Sequence, residues 1–349
     1  MSRAARAVDI NCAEKGNAVA STIPRTTSAP QSAASAASTS RAVKRAVRRR
    51  ARQSTSNSPV HRGDWRLAWL LILPAGIGFL VFAVYPLLRG VYLSFTSFHV
   101  LSPAVWTGLA NYRQLIHDGT FWSSVEVTIY FVVLSVGIGI FFSLLTAVIM
   151  HRLTKSTVIR GLVLLPFLIS GVIAGLVWSW MLQSQLGIVN IWLQDLTGHN
   201  FLFLGSTNWA IPTVALINVW KSMGYNAVLL FAGLQMIPTD VYEAARLDGA
   251  SEIRIFRRIT VPLLRPVLAM VVILTVISSF QVFDIVQVVT PDGGTANASN
   301  VLPLYIYEKA FSQFDFGYAS TMSIALFVML LAITFLQMRL TRASETDLS

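Results

Sequence analysis

The stretch "YEAARLDGASEIRIFRRITVP", Tyr242–Pro262, places four arginines and three acids in a chain that is 54% hydrophobic and only 12% charged. Read from Pro238, it carries the punctuation of two short helices. Thr239 stands where an N-cap would, Asp240 and Glu243 put negative charge in a first turn, and Arg246 sits near the last, each sign matching the helix dipole. Gly249 is available for the left-handed position after a helix end. A second short helix is expected from Ser251 and should stop before Pro262, because the residue preceding proline avoids helical geometry. Val241, Ala244, Ala245 and Leu247 lie among the charges. Small side chains there suit the close approach of a partner, although alanine is also the best helix former. Residue physics leaves a docking helix and a solvated linker both open.

Outward from this island the chain is apolar. Its mean hydropathy of +0.61 over 349 residues excludes an ordinary soluble surface. An apolar bilayer core about 30 Å thick needs about 20 apolar residues in a helix. Six segments meet that length, over 67–95, 124–150, 158–182, 209–235, 264–289 and 317–338. The expected fold is all-α, a polytopic membrane protein with six transmembrane helices.

Arg152, Lys155 and Arg160 lie in the second connection, Arg246, Arg254, Arg257, Arg258 and Arg265 in the fourth, and Arg339 and Arg342 after the last span. Positive charge in short connections marks the cytoplasmic side. Both termini and the island are therefore expected in the cytoplasm. "PDGGTANASN" from Pro291 reads as a turn-rich outer loop, and "VLPLYIYEKAF" after it as a short interfacial helix with tyrosines near the headgroups.

The formal net charge of +11 does not indicate a nucleic-acid partner. The thirteen Lys and Arg up to Arg66 face only Asp9, Glu14 and Asp64, a balance of about +10, so the rest of the chain is close to neutral. Residues 1–64 form a basic tail rich in Ser, Ala, Thr and Arg, expected to be disordered and cytoplasmic, either a solvated extension that reinforces topology or, through "KRAVRRRAR", a contact for RNA or anionic membrane lipid. No short apolar run with a cleavage site follows it closely, so it does not read as a signal peptide. The lone Cys12 offers no intrachain disulfide. His61, His99, His117, His151 and His199 lack metal-ligand spacing, so no metal site is expected. No "GxxxxGK[ST]" phosphate loop and no hydrolytic constellation occurs, so the chain does not read as an enzyme.

Within the spans, Lys221 and Asp284 are ionisable groups that each cost about 2.5 to 3.5 kcal/mol at a helix centre, and they are candidates to pair. At about 100° per residue, Asn218, Lys221, Ser222 and Tyr225 share one side of the fourth span, and Ser278, Gln281 and Asp284 an arc of the fifth. These arcs read either as the path of a hydroxyl-rich solute, with Trp178, Trp180 or Trp220 stacking on sugar faces, or as interhelical hydrogen bonding.

The spacing of Glu243, Ala244, Ala245, Gly249, Ile259 and Pro262 resembles the cytoplasmic EAA loop of ABC importer permeases. Val261 stands where leucine is usual. "GLANYRQLIHDGTFWSS", "LGIVNIWLQ", "FAGLQMIPTDVYEAARLDGAS" and "VFDIVQVVTPDGGTANASNVLPLYIYEKAFSQFDFGYAS" are similar to the carbohydrate-uptake subgroup, maltose-type and glycerol-phosphate-type, with "TPDGG" departing from a Gly-Gly-Pro arrangement. The resemblance implies the type I permease fold over 65–342, with a coupling loop over 237–262 and a C-terminal tail over 343–349. It implies that Glu243, Ala244, Ala245, Asp248, Gly249, Ile259 and Pro262 couple to an ATP-binding subunit. Asn218, Trp220, Lys221, Tyr225, Ser278, Gln281 and Asp284 would form the substrate path. The implied partners are a second homologous permease subunit, two ATP-binding subunits, an extracytoplasmic solute-binding protein and a sugar-like substrate, in a bacterial or archaeal cell membrane. This chain itself would hold no cofactor, since ATP would bind the partner subunits. The alternatives are an ion-coupled secondary transporter using Asp284 and Lys221, or a non-transporting membrane assembly factor.

Overall fold

The computed structural model describes residues 64–99, 102–153 and 156–345. The tail expected over 1–64 therefore lies almost wholly outside the described residues, as do Cys12, His61 and the last four positions of the C-terminal tail. The chain divides into two compact units, Met1–Ala75 and Gly76–Ser349. In the first, the described residues are the opening turns of a helix.

In chain order the helices are α1 (Asp64–Phe79), α2 (Tyr85–Ser94), α3 (Ala110–His117), α4 (Gly119–Leu153), α5 (Thr157–Leu168), α6 (Gly171–Met181), α7 (Ile188–Thr197), α8 (Ala210–Gln235), α9 (Thr239–Leu247), α10 (Glu252–Ile255), α11 (Val261–Phe280), α12 (Asp284–Val289), α13 (Leu302–Tyr307) and α14 (Phe316–Glu345). A two-residue hairpin, β1 (Thr96–Ser97) against β2 (Val105–Trp106), follows α2. Wider π-helical turns fill Leu80–Val84, Phe256–Thr260 and Glu308–Ser312.

Five stretches among the described residues are long and apolar enough to cross a membrane: Trp69–Ser94, Gly119–Arg152, Ala210–Gln235, Glu252–Phe280 and Phe316–Thr341. α5 and α6 taken together are long and apolar enough for a sixth crossing, and they are bent by 88° at the break between them. A straight span over 158–182 is thus not what forms. Pro166 removes a backbone donor near the end of α5, and Ile169 and Ser170 are extended before Gly171 starts the next helix. α8 is the hub, half buried where α14 is 17% buried, and it packs most extensively on α4. α8 and α5 touch at Gly224, where a β-carbon would collide with the backbone carbonyl of Val163.

Toward the island, Ala147 and Met150 of α4, Leu230 and Leu234 of α8, and Leu264 and Val271 of α11 close one core. Toward the opposite end, Phe131, Ile211, Ile217, Phe280, Ile285 and Leu304 belong to a second. A third, around Leu115, Phe121, Tyr305, Tyr318 and Met322, joins α3, α4, α13 and α14. Most large side chains on α5 and along the later turns of α14 remain exposed in the single chain, as expected of surfaces that meet lipid or other subunits.

Two boundaries at the island depart from the sequence reading. The helix expected to stop before Pro262 continues to Phe280, because the wide turn over Phe256–Thr260 redirects the Val261 amide to the Phe256 carbonyl, so the proline enters within the first two residues of α11. Gln281–Phe283 instead interrupt the fifth span before α12. Pro238, not Thr239, occupies the N-cap of α9, and the Thr239 hydroxyl meets Asp240 at 3.5 Å instead of capping a backbone amide. The interfacial helix after Val301 forms as α13, but Tyr305 turns inward and only Tyr307 stays exposed.

Candidate coupling surface and membrane path

At the island, α9 ends in a Schellman turn. The Ala250 amide donates to the Ala245 carbonyl and the Gly249 amide to that of Arg246, both at 3.0 Å. Gly249 has φ +72°, a conformation that disfavours a side chain, and its capping role matches the expectation. Ala245 is buried beneath α9, whereas Glu243, Ala244, Asp248 and Gly249 are exposed. Ile259 and Pro262 are half-buried in the turns that follow, and Ile255 anchors α10 at 1% exposure.

Glu252 organises the charges around this corner. Its carboxylate meets Arg152 at 2.7 Å, from the end of α4, and Arg246 at 3.4 Å, from α9. All three side chains are about half open to solvent, so the pairs orient the corner and contribute at most about 1 kcal/mol each. Beside them opens a cleft of about 400 Å³ lined in part by His151, Thr239, Tyr242, Glu243 and Phe256.

Sequence reasoning named Leu247 among the charges of this surface but passed over Met236 and Ile253. Leu247 is 89% exposed, Met236 80% and Ile253 74%, around the same corner. Large apolar side chains set among charges at a helix terminus are a mark of a protein contact, and that placement was their signal in the sequence.

Within the membrane the arcs separate. Tyr225 stacks on Phe167 with centroids 4.5 Å apart and planes 12° from parallel, and the Lys221 ammonium stands 5.9 Å from the Phe167 ring. Asn218 is half-buried, and its backbone carbonyl accepts from the Ser222 hydroxyl. On the other side of α8, Trp220 meets Trp178 edge-on at 5.6 Å, in a pocket of about 240 Å³ completed by Leu182, Phe203, Trp209 and Leu216. That pocket offers ring faces and almost no polar partner. Ser278 is exposed and donates to the Thr275 carbonyl, and Gln281 is exposed too. Asp284 is half-buried beside Gly171, and no ion pair joins it to Lys221 among the described residues. An interhelical hydrogen bond joins Asn226 of α8 to Thr275 of α11, at 3.1 Å.

At the end opposite the island, Asp118 ties three segments together. One carboxylate oxygen accepts from the hydroxyls of Tyr305 at 2.8 Å and Tyr318 at 2.7 Å, the other from the amides of Thr120 at 2.9 Å and Phe121 at 3.2 Å. Burial alone would raise the Asp118 pKa. The two hydroxyls and two amides outweigh it and hold the carboxyl below its ordinary range, while burial and then the bond to Asp118 push the Tyr305 hydroxyl up.

A helical membrane bundle with a broken third span and a charged helical corner before the fifth has well-matched relatives. The family described as "Binding-protein-dependent transport system inner membrane component" matches residues 135–349. The sulfoquinovosyl glycerol transport system permease of Agrobacterium fabrum is 33% identical over 286 residues, covering 81% of this chain and 92% of that protein. The trehalose/maltose transport system permease of Thermococcus litoralis is 34% identical over 280 residues, covering 79% and 94%. A crystal structure of a bacterial ABC transporter involved in import of the acidic polysaccharide alginate superposes with a TM-score of 0.72 at 24% identity, over 82% of this chain and 98% of that one, a likeness of fold. Matched by the family over most of its length and by these permeases over about four fifths of it, this multi-pass membrane protein belongs to the inner membrane components of binding-protein-dependent transport systems.

Proposed function

We propose that this chain is one transmembrane half of an ATP-driven importer of a sugar or sugar-like solute. It works with a second, similar permease chain, two ATP-binding subunits and an external solute-binding protein, with both termini and the island in the cytoplasm. The observation that carries the reading is the corner at α9: a short helix fixed by its Schellman turn and by Glu252, presenting Glu243, Ala244 and the bare Leu247 outward. A rigid helix with an exposed apolar end suits a cleft on an ATPase, and closure of that ATPase would then move the spans through α4 and α11. Kinship to permeases named for saccharides and glycosyl glycerol supports the solute class. The arc of Ser278 and Gln281 and the stacked Phe167 and Tyr225 are the surfaces we assign to the solute, and the dry pocket around Trp178 and Trp220 to stacking alone.

The test is uptake by proteoliposomes holding the chain with the ATPase, second permease and binding protein that co-purify with it. Neutral and anionic oligosaccharides and glycosyl glycerols are supplied outside and ATP inside. The expected result is uptake that requires ATP and the binding protein and survives collapse of ion gradients. Uptake driven by a proton or sodium gradient without ATP would overturn it.

A further inference from the structure

We infer that Asp284 is a positioning residue that sets the bend of the third span and makes α6 and α12 move as one unit. The inference rests on the transport reading for its consequence, though not for its geometry. Asp284 opens α12, and its carboxylate lies in the space that a side chain at Gly171 would fill. A β-carbon there would stand 2.9 Å from Oδ1, and closer still to Cγ and Oδ2. Gly171 is the first residue of α6, an eleven-residue helix that begins at the 88° break. The first amides of a helix lack intrahelical partners and carry the positive end of its dipole, so a carboxylate seated there favours this start point over any other.

One turn further along, Gly175 continues the contact. A β-carbon there would press on Val288 and Val289 at 3.2 to 3.3 Å. Two glycines four residues apart thus let α12 lie directly on α6. The placement also sets Asp284 apart from Lys221, whose ammonium stands near the Phe167 ring while the Asp284 carboxylate lies against the start of α6. A half-helix starting inside the membrane is a part that transporters move. Because α6 carries Trp178 and α12 continues from the Gln281 break, the carboxylate fixes where both stand relative to α8.

The experiment is a double-mutant cycle in the assembled transporter with Asp284→Asn, Gly171→Ala and both together. Three readouts are taken: subunit assembly, uptake per ATP hydrolysed, and hydrogen–deuterium exchange at the first amides of α6. Gly171→Ala displaces the carboxylate and Asp284→Asn discharges it. Both should therefore speed exchange at the start of α6 by roughly 5- to 30-fold, the span of a charge at a partly buried helix end. Both should lower uptake per ATP with assembly intact, and the double variant should be no worse than the worse single one. In a chain that also carries Asp284→Ala, which clears the space beside α6, Gly171→Ala should add no further loss.

Additive losses, or unchanged exchange at α6 in Asp284→Asn, would overturn the inference. The exchange measurement needs no transport, so failure of the wild-type complex to import would count against the transport reading, while the amides of α6 would still decide the role of Asp284.

Discussion

Removing the Asp118 carboxylate should loosen the end of the molecule opposite the island. In Asp118→Ala, the hydroxyls of Tyr305 and Tyr318 lose their acceptor, and both rings are buried, at 5% and 1% exposure. A hydrogen bond to a charged group contributes about 1.5 to 3 kcal/mol. The lower figure applies here because the carboxylate is partly open to water, giving about 3 kcal/mol for the pair. The amides of Thr120 and Phe121 add little, since water can replace the carboxylate at an exposed helix start. Asp118→Asn should cost less, about 1 kcal/mol, because one amide oxygen still accepts and the hydroxyls can turn to accept from its nitrogen. The assay is denaturant or thermal unfolding of the purified chain in detergent, with the three proteins compared across pH. Since the folded-state pKa of Asp118 is depressed, its contribution is complete above the ordinary carboxylate value of about 4 and is lost as pH falls through the folded value. The gap between wild type and Asp118→Asn should therefore be flat from neutral pH down to about pH 4 and close only in stronger acid. An unchanged midpoint in Asp118→Ala, or a gap that closes near neutral pH, would refute the reasoning.

Glu308 should show the opposite sign. Burial first, and then the charge of Asp292, raise its carboxyl pKa, so its ionisation opposes folding as pH rises through the folded value, and Glu308→Gln should stabilise the protein increasingly above the ordinary carboxylate range in the same unfolding series. Gly224→Ala should destabilise by about 1 to 3 kcal/mol, because the new methyl meets the rigid Val163 carbonyl, and the lost contact should appear as faster hydrogen exchange in α5. Gly249→Pro removes an amide that bonds to Arg246 and cannot take φ +72°, so it should abolish uptake and ATPase stimulation while the spans stay folded by circular dichroism. Glu243→Lys should do the same through charge alone, and normal uptake in both would remove the docking role.

All six apolar segments were legible in the sequence, because the length and apolarity of a run decide whether a helix can span the bilayer. The bend in the third was not. Hydropathy carries no direction, and "FLISGVIAG" is as apolar on both sides of the break as an unbroken span. Gly249 was readable because a positive φ narrows the choice of residue, whereas Pro262 misled because a π-helical turn absorbs it. Lys221 and Asp284 stood out in the sequence as costly, but their surroundings, a ring and a helix start, depend on packing between separate spans. Asp118 was invisible for a related reason: its two tyrosines lie 187 and 200 residues away along the chain.

The central claim is that the corner at α9 is where an ATPase takes hold. With Cys12 replaced by serine, Ala244→Cys gives a single exposed thiol on that helix. Paired with single cysteines around the cleft of an ATPase subunit that co-purifies with the chain, it should cross-link within the assembled complex, and the yield should change when ATP is added. A matching single cysteine at the exposed Phe327 of α14 should not cross-link. Cross-linking from Phe327→Cys as strong as from Ala244→Cys, or none from Ala244→Cys in a complex that imports its solute, would contradict the account.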